Sequence, residues 1–269
     1  MPHFNRILCE SVSRVLPGVP FVTILTDFAD FPPRFWIERQ EQYLICGSDR
    51  AVEQALTFGH APHRVLRASG MIIHPRFYVP IEKDRRAESS RLGLDPERAT
   101  GLVMFGGQGS PVMGKITDRL DRAGLDLQLI LICGKNEKLA AALRGQKFRM
   151  PVHVEGFTRE MPYFMHLSDF FIGKPGPGSL SEALAMRLPV IVERNAWTLP
   201  QERYNTEWVR ENRVGIVVWN FRDIVPAVRE LLESERLAEF RANAAKMNNR
   251  AVFEIPDFVQ QILDRSASA

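Results

Sequence analysis

Residues 173–178, Gly-Lys-Pro-Gly-Pro-Gly, place three glycines and two prolines in six positions. Proline stiffens the backbone and glycine leaves it bare, so the stretch is a rigid turn with accessible peptide groups. The apolar run Phe170–Ile172 precedes it, and Leu180, Ala183, Leu184 and Leu188 follow at helical spacing. A strand, a glycine turn and a helix start, in that order, aim free N–H groups and the positive end of a helix dipole at one point. That arrangement suits a phosphate. A tight turn without a ligand has the same composition, and Ser179-x-x-Glu182 also reads as a capping box. A second turn, Gly-Gly-Gln-Gly-Ser-Pro at 106–111, follows the apolar run 101–105. There Ser110 reads as an N-cap and Pro111 as a first helical residue. A nicotinamide dinucleotide site would want a carboxylate at the end of the next strand to hold a ribose. That strand ends Ile132-Cys133-Gly134-Lys135, with no carboxylate. Two glycine turns on one sheet are a more specific signal than one.

Composition bounds the partners. The 269 residues are 45% hydrophobic and 25% charged, ordinary for a globular protein. The net charge of +3 weakly favours anionic partners such as phosphates or lipid head groups. Lysine-rich blocks and aromatic–basic alternation are missing, so nucleic acid is not an expected partner. Cys9, Cys46 and Cys133 share no metal-like spacing and read as the reduced thiols of a cytoplasmic protein. No apolar run approaches the roughly 20 residues of a membrane span, and 1–14 lacks the apolar core of a secretory leader. No Asp-x-Asp cluster or His/Cys ligand set is present, and Asp27-x-x-Asp30 is a weak signal, so neither a metal nor another cofactor is expected.

Positioning two such turns takes an alternating architecture. Strand patterns at 101–105, 127–133, 152–157, 169–173, 189–193 and 215–219 are separated by helical patterns or short loops. Near-continuous apolar strands of this kind form a parallel sheet with helices on both faces, and such sheets bind ligands beyond the carboxyl ends of their strands. The fold class is therefore α/β. Residues 1–80 read as a partial domain of the same class. They comprise a helix over Asn5–Leu16 with Ile7, Leu8, Val12, Val15 and Leu16 inward, a buried strand at 19–27, short strands at 43–46 and 65–70, and a helix over 49–58. The charged stretch 81–100 reads as a linker, 101–250 as the ligand-binding domain and 251–269 as a closing helix, with a break near Pro256. Cys133, His153, Met161, Phe164 and Met165 read as core, His166 as a possible helix cap, and Thr198-x-x-Gln201 as a second capping box.

The order of the motifs is recognisable. Gly-Gly-Gln-Gly-Ser at 106–110, Ile-Cys-Gly-Lys-Asn-Glu-Lys-Leu at 132–139, the segment 154–184 and Leu-Pro-Gln-Glu-Arg-Tyr-Asn at 199–205 resemble the donor half of nucleotide-sugar glycosyltransferases with two Rossmann-like domains, the GT-B fold. Monogalactosyldiacylglycerol synthases and processive diacylglycerol glucosyltransferases are the nearest members. The transferase that adds N-acetylglucosamine to the lipid-linked peptidoglycan precursor is more distant. The resemblance runs from about Pro20 to about Trp219 and is strongest from 101 to 206. It implies a complete C-terminal Rossmann-like sheet and a partial N-terminal one. It also implies that Gly178 and Ser179 donate to the diphosphate of a uridine diphosphate sugar and that Glu182 accepts from the ribose hydroxyls. The backbone from Phe157 to Met161 would read the uracil edge. Gln201 and Glu202, with Asn205 nearby, would hold the sugar hydroxyls. Gly107 and Gln108 would lie near the phosphates or the reacting carbon, and Asn136 occupies the family's second glycine–asparagine turn.

The activity so implied is metal-independent, inverting transfer of a hexose from a UDP-sugar to a lipid acceptor such as diacylglycerol, at the cytoplasmic face of a membrane. Inversion needs a general base. Asp27, at the carboxyl end of strand 19–27, is the candidate here and reads equally as a turn residue. The family's N-terminal glycine loop with its histidine has no counterpart, and Phe31-Pro32-Pro33-Arg34-Phe35-Trp36 replaces its histidine–proline element. The chain is accordingly expected to transfer little sugar alone. Its first 80 residues are expected to be covered by another copy, or by a separate acceptor-domain partner, or else to be less protected than the rest. Two other readings stay open: a non-catalytic or split sugar-nucleotide-binding module, and a UDP-sugar 2-epimerase.

Overall fold

The computed structural model describes residues 4–267. The chain divides into two units, one of residues 1–75, 199–208 and 248–269, the other of 76–198 and 209–247. The first unit opens with α1 (Asn5–Val15), β1 (Val22–Ile24), β2 (Tyr43–Cys46), α2 (Asp49–Thr57) and β3 (Val65–Arg67). The strands are parallel in the order β1-β2-β3. The strand expected over 19–27 pairs only at Val22–Ile24, although the Leu25 amide still donates to the Ile45 carbonyl at 3.0 Å. Ser48 starts α2 as its N-cap, accepting from the Ala51 amide at 3.1 Å.

Helix α1 forms where expected but turns the other way. Ile7 and Val15 are 60% and 75% exposed, and Leu8 and Leu16 also face out, while Asn5 and Cys9 are buried. The Asn5 amide donates to the Trp36 carbonyl at 3.0 Å, and the Cys9 thiol lies 3.6 Å from the Glu41 carbonyl. These polar anchors, and not the apolar stripe, set which face packs.

The second unit begins at Arg76, so the stretch expected to be a linker lies inside it. Helix α3 (Arg85–Arg91) is capped by Asp84, whose carboxylate accepts from the Arg86 and Ala87 amides. Arg91 and Glu88 both bond the Tyr163 hydroxyl, at 2.8 and 2.6 Å. There follow β4 (Ala99–Met104), α4 (Val112–Ala123), β5 (Leu127–Ile132), α5 (Glu137–Gly145), β6 (Val152–Glu155), α6 (Met161–His166), β7 (Phe170–Gly173), α7 (Pro177–Ala185), β8 (Val190–Glu193), then α8 (Arg203–Glu211), whose residues 203–208 belong to the first unit, and β9 (Gly215–Val218), α9 (Ile224–Leu232) and α10 (Ser234–Lys246). The six strands β4–β9 are all parallel, in the order β6-β5-β4-β7-β8-β9. Every residue of β5 is buried, as befits a strand covered on both faces. On one face Met113, Ile116 and Leu120 of α4 and Ile224, Val228 and Leu231 of α9 close the core. Cys133 is buried there as expected, whereas His153 sits half-buried on edge strand β6.

The last helix, α11 (Ala251–Ala267), returns to the first unit, where Ala251 and Ile255 pack on Ile45 and Ala68. The break before it falls at 247–250, not at Pro256, which lies inside the helix. Asn249 explains the position. Its side-chain oxygen accepts from the Ala251 amide at 3.1 Å while its amide group donates to the Met71 carbonyl at 2.8 Å.

Gly134 ties two loops of the second unit together. Its φ is +58°, and a Cβ there would lie 2.3 Å from the Gly107 carbonyl oxygen. Gly134→Ala should therefore cost about 1–3 kcal/mol, and Gly107→Ala, where nothing would meet the new methyl, less than about 0.5 kcal/mol. Thermal melts of the two variants check this: a clear drop is expected for the first and almost none for the second.

Candidate functional site

Strand order makes the site. The sheet of the second unit is built outward in both directions from β4 and β7, so these two strands flank the point where the winding reverses. Such a switch point leaves a crevice beyond the strand carboxyl ends. Met104 and Gly173 are register partners at those ends. The two glycine turns therefore begin side by side. Gly173 permits this, because a Cβ there would lie 2.5 Å from the Met104 carbonyl oxygen.

Helix α7 enters this crevice with Gly176 as N-cap and Pro177 as first helical residue. The Leu180 amide already bonds the Gly176 carbonyl at 3.0 Å. The amides of Gly178 and Ser179 fall within the first turn, where a helix has no acceptor of its own to offer. The capping-box reading of Ser179 and Glu182 fails, because Ser179 is the third residue of the helix and not its cap. Its hydroxyl instead reaches the Gly176 carbonyl at 3.4 Å. Glu182, one turn on, is half-buried, and burial pushes its carboxyl up to about 7 against the opposing pull of Arg76. Arg76 is held by a bond from its guanidinium to the Arg159 carbonyl. Sequence reading passed over Arg76, since a single arginine in the 3₁₀ turn Pro75–Tyr78 carries no spacing signal.

The glycines divide into two kinds. Gly109 and Gly134 have positive φ and no space for a methyl, so the fold itself requires them. Gly107 and Gly178 have ordinary φ, and an added Cβ at either would meet nothing within 4 Å. Gly178 also weakens α7, where alanine is favoured by about 1 kcal/mol. Folding gives no steric reason for glycine at these two positions.

The remaining candidates of this unit line the same sheet edge. Gln108 is exposed beside Gly107, whose carbonyl accepts from the Lys135 amide at 2.8 Å. Asn136 caps α5, accepting from the Leu139 amide at 3.0 Å, so its oxygen is engaged structurally. Phe157 is 58% exposed, with the Lys135 ammonium 5.6 Å from its ring centre. Met161 begins α6 and is half-buried, while Phe164 and Met165 are core.

Four candidates belong to the other unit. Gln201 and Glu202 form the 3₁₀ turn Pro200–Glu202. Thr198 does not cap that turn; its hydroxyl accepts from the Asn195 amide at 3.0 Å, which removes the second capping box. Asn205 is fully buried and hydrogen-bonds Asp27, so its side chain does not face a sugar. Asp27 is only 6% exposed. Burial pushes its carboxyl up, and bonds from the Trp36 indole at 3.0 Å and from Asn205 pull it back. In this state Asp27 is a structural acceptor closed to an incoming hydroxyl. Among the described residues no group of three or more His, Cys, Asp or Glu is placed to hold a metal, and no helix is long and apolar enough to cross a membrane.

Glu182 gives a stability signature. Its folded value near 7 lies above the ordinary 4.5. The charged form therefore costs nothing below about 4.5, costs progressively more up to about 7, and costs its full amount above. Glu182→Gln keeps the shape without the charge. It should raise the melting temperature at about pH 8 and leave it unchanged near pH 4.5, as scanning calorimetry at the two pH values would read.

Residues 102–196 match the glycosyltransferase family 28 C-terminal domain. A probable monogalactosyldiacylglycerol synthase 2 of Oryza sativa subsp. indica is 29% identical over 264 residues, covering 94% of this chain and 55% of that protein. The chain thus spans about half the length of the curated relatives it matches. Among solved structures, Acinetobacter baumannii MurG aligns with TM-score 0.68 at 13% identity, over 93% of this chain and 69% of that one. Anabaena Alr3699/HepE in complex with UDP aligns with TM-score 0.63 at 18% identity, over 97% and 77%. The fold is GT-B-like, and the chain resembles the monogalactosyldiacylglycerol synthases.

Proposed function

We propose that this chain, which carries a glycosyltransferase family 28 C-terminal domain and resembles monogalactosyldiacylglycerol synthases, moves a hexose from a UDP-sugar to a lipid acceptor such as diacylglycerol. The observation that carries the reading is the pairing of two glycine turns at one switch point, with open backbone at Gly107 and Gly178 and a buried carboxyl one turn along α7. The neighbour solved with UDP is consistent with a nucleotide in such a crevice.

In this reading the diphosphate sits against the amides of Gly178 and Ser179. As the bond between the anomeric carbon and the leaving phosphate oxygen breaks, charge gathers on the diphosphate, and those fixed dipoles stabilise it. One helix start offers roughly 0.3–2 kcal/mol per charge, so the turn at 106–109 must add its own donors. Glu182 accepts from the ribose hydroxyls, the backbone from Phe157 to Met161 reads the uracil, and Gln201 and Glu202 hold the sugar. The acceptor oxygen bonds to the anomeric carbon from the opposite face and yields its proton to a base. Asp27 takes that role only in a state that frees it from Trp36 and Asn205. The sheet 101–250 acts as the donor domain, peripheral to a membrane.

Titration calorimetry tests the nucleotide. UDP should bind and ADP should bind more weakly, and Glu182→Ala should weaken UDP by about 1–3 kcal/mol, or roughly 5- to 150-fold. Equal affinity for UDP and ADP would remove the uracil assignment. A variant that melts earlier yet binds UDP unchanged would reduce Glu182 to a structural role.

A further inference from the structure

Two tryptophans of the second unit face outward beside a cavity that the donor site does not use. Trp197 is 92% exposed and Trp219 is 67% exposed. Both follow strand carboxyl ends, Trp197 in the loop after β8 and Trp219 directly after β9. Neither loop is loose. Asn195 donates to the Glu193 carboxylate at 3.2 Å, accepts from the Trp197 amide at 2.8 Å, and is itself bonded to Thr198. Phe221 is buried edge-on against Phe105, with ring centres 5.4 Å apart, and so anchors the segment that carries Trp219. The fold thus fixes the backbone from which two large indoles project into water.

Opposite them, α4 presents Val112, Lys115 and Arg119 at i, i+3 and i+7, which is one helix face. Arg222 completes the wall of an open pocket of about 400 Å³. Lys115, Arg119 and Arg222 face a single carboxylate, Glu193, which is already engaged by Asn195. An indole has an apolar body and a polar N–H and settles at the head-group level of a bilayer. Clustered Lys and Arg beside it are drawn to anionic lipid. Single-stranded nucleic acid also stacks on aromatics in basic grooves, but it needs a track several nucleotides long. An open pocket of this size has room for one head group and not for such a track.

We propose that this face docks the protein on an anionic bilayer, with a lipid head-group phosphate held by Lys115, Arg119 and Arg222 and the indoles of Trp197 and Trp219 at the interface. The choice of a bilayer as occupant rests on the lipid-acceptor reading above, while the test reads membrane binding alone.

The full chain is floated with phosphatidylcholine vesicles with and without phosphatidylglycerol, and UDP affinity is measured separately on every variant. Phosphatidylglycerol should tighten binding by about 10- to 100-fold, and added salt should reverse the gain. Both Trp197→Ala/Trp219→Ala and Lys115→Glu/Arg119→Glu should lose most of that gain while binding UDP normally, which shows them folded. Unchanged vesicle binding in both double variants overturns the proposal. So does loss of binding only on Ile7→Ser/Leu8→Ser, which would place the contact on the exposed face of α1. Capture of an oligonucleotide with no vesicle binding also overturns it. Failed vesicle binding with intact UDP binding sinks this inference and leaves the donor site standing.

Discussion

Two parallel strands, β4 and β7, meet so closely at their ends that the backbone of one occupies the space where the other would carry a side chain. Gly173 against the Met104 carbonyl is that contact. A methyl group at 173 would push the strands apart, and the turns that leave them would no longer start side by side. Everything at the proposed donor site follows from this juxtaposition. The chain runs from β7 into α7 with no room for more than a glycine–proline turn, so the helix start is delivered to the crevice already oriented. The turn after β4 is held from its other side by Gly134 and Lys135 against the Gly107 carbonyl.

Burial then does electrical work. A carboxyl in the middle of α7, partly shielded from water, resists ionisation unless something donates to it. Arg76 compensates only in part. In the proposed complex a ribose diol would donate to Glu182 as well. Asp27 differs in its surroundings: bonds from Trp36 and Asn205 already occupy its carboxylate, although burial outweighs them and still pushes it up.

Much of the second unit was legible because strands covered on both faces are nearly continuous apolar runs. All six expected strands formed within a residue or two of their expected ends, and the strand–turn–helix at 170–185 formed as read. What escaped reading depends on contacts distant in sequence. Apolar periodicity located α1 but not its orientation, which Asn5 and Cys9 set through Trp36 and Glu41. The charged stretch at 81–100 hid α3, because its helix rests on an Asp84 cap and on Tyr163 more than on an apolar stripe. Proline suggested a break at 256, while Asn249 made it earlier by bonding Met71 far upstream. Both apparent capping boxes dissolved because cap geometry depends on where the first helical turn begins, and spacing alone does not locate it.

The central claim is that one nucleotide diphosphate spans the paired turns. Amide hydrogen exchange with and without UDP, read by mass spectrometry, tests it without any variant. Slower exchange is expected together in peptides covering 106–110 and 178–182, with little change across β1, β2 and β3. Protection confined to residues 1–75, or none at 178–182 when UDP is saturating, would contradict the account.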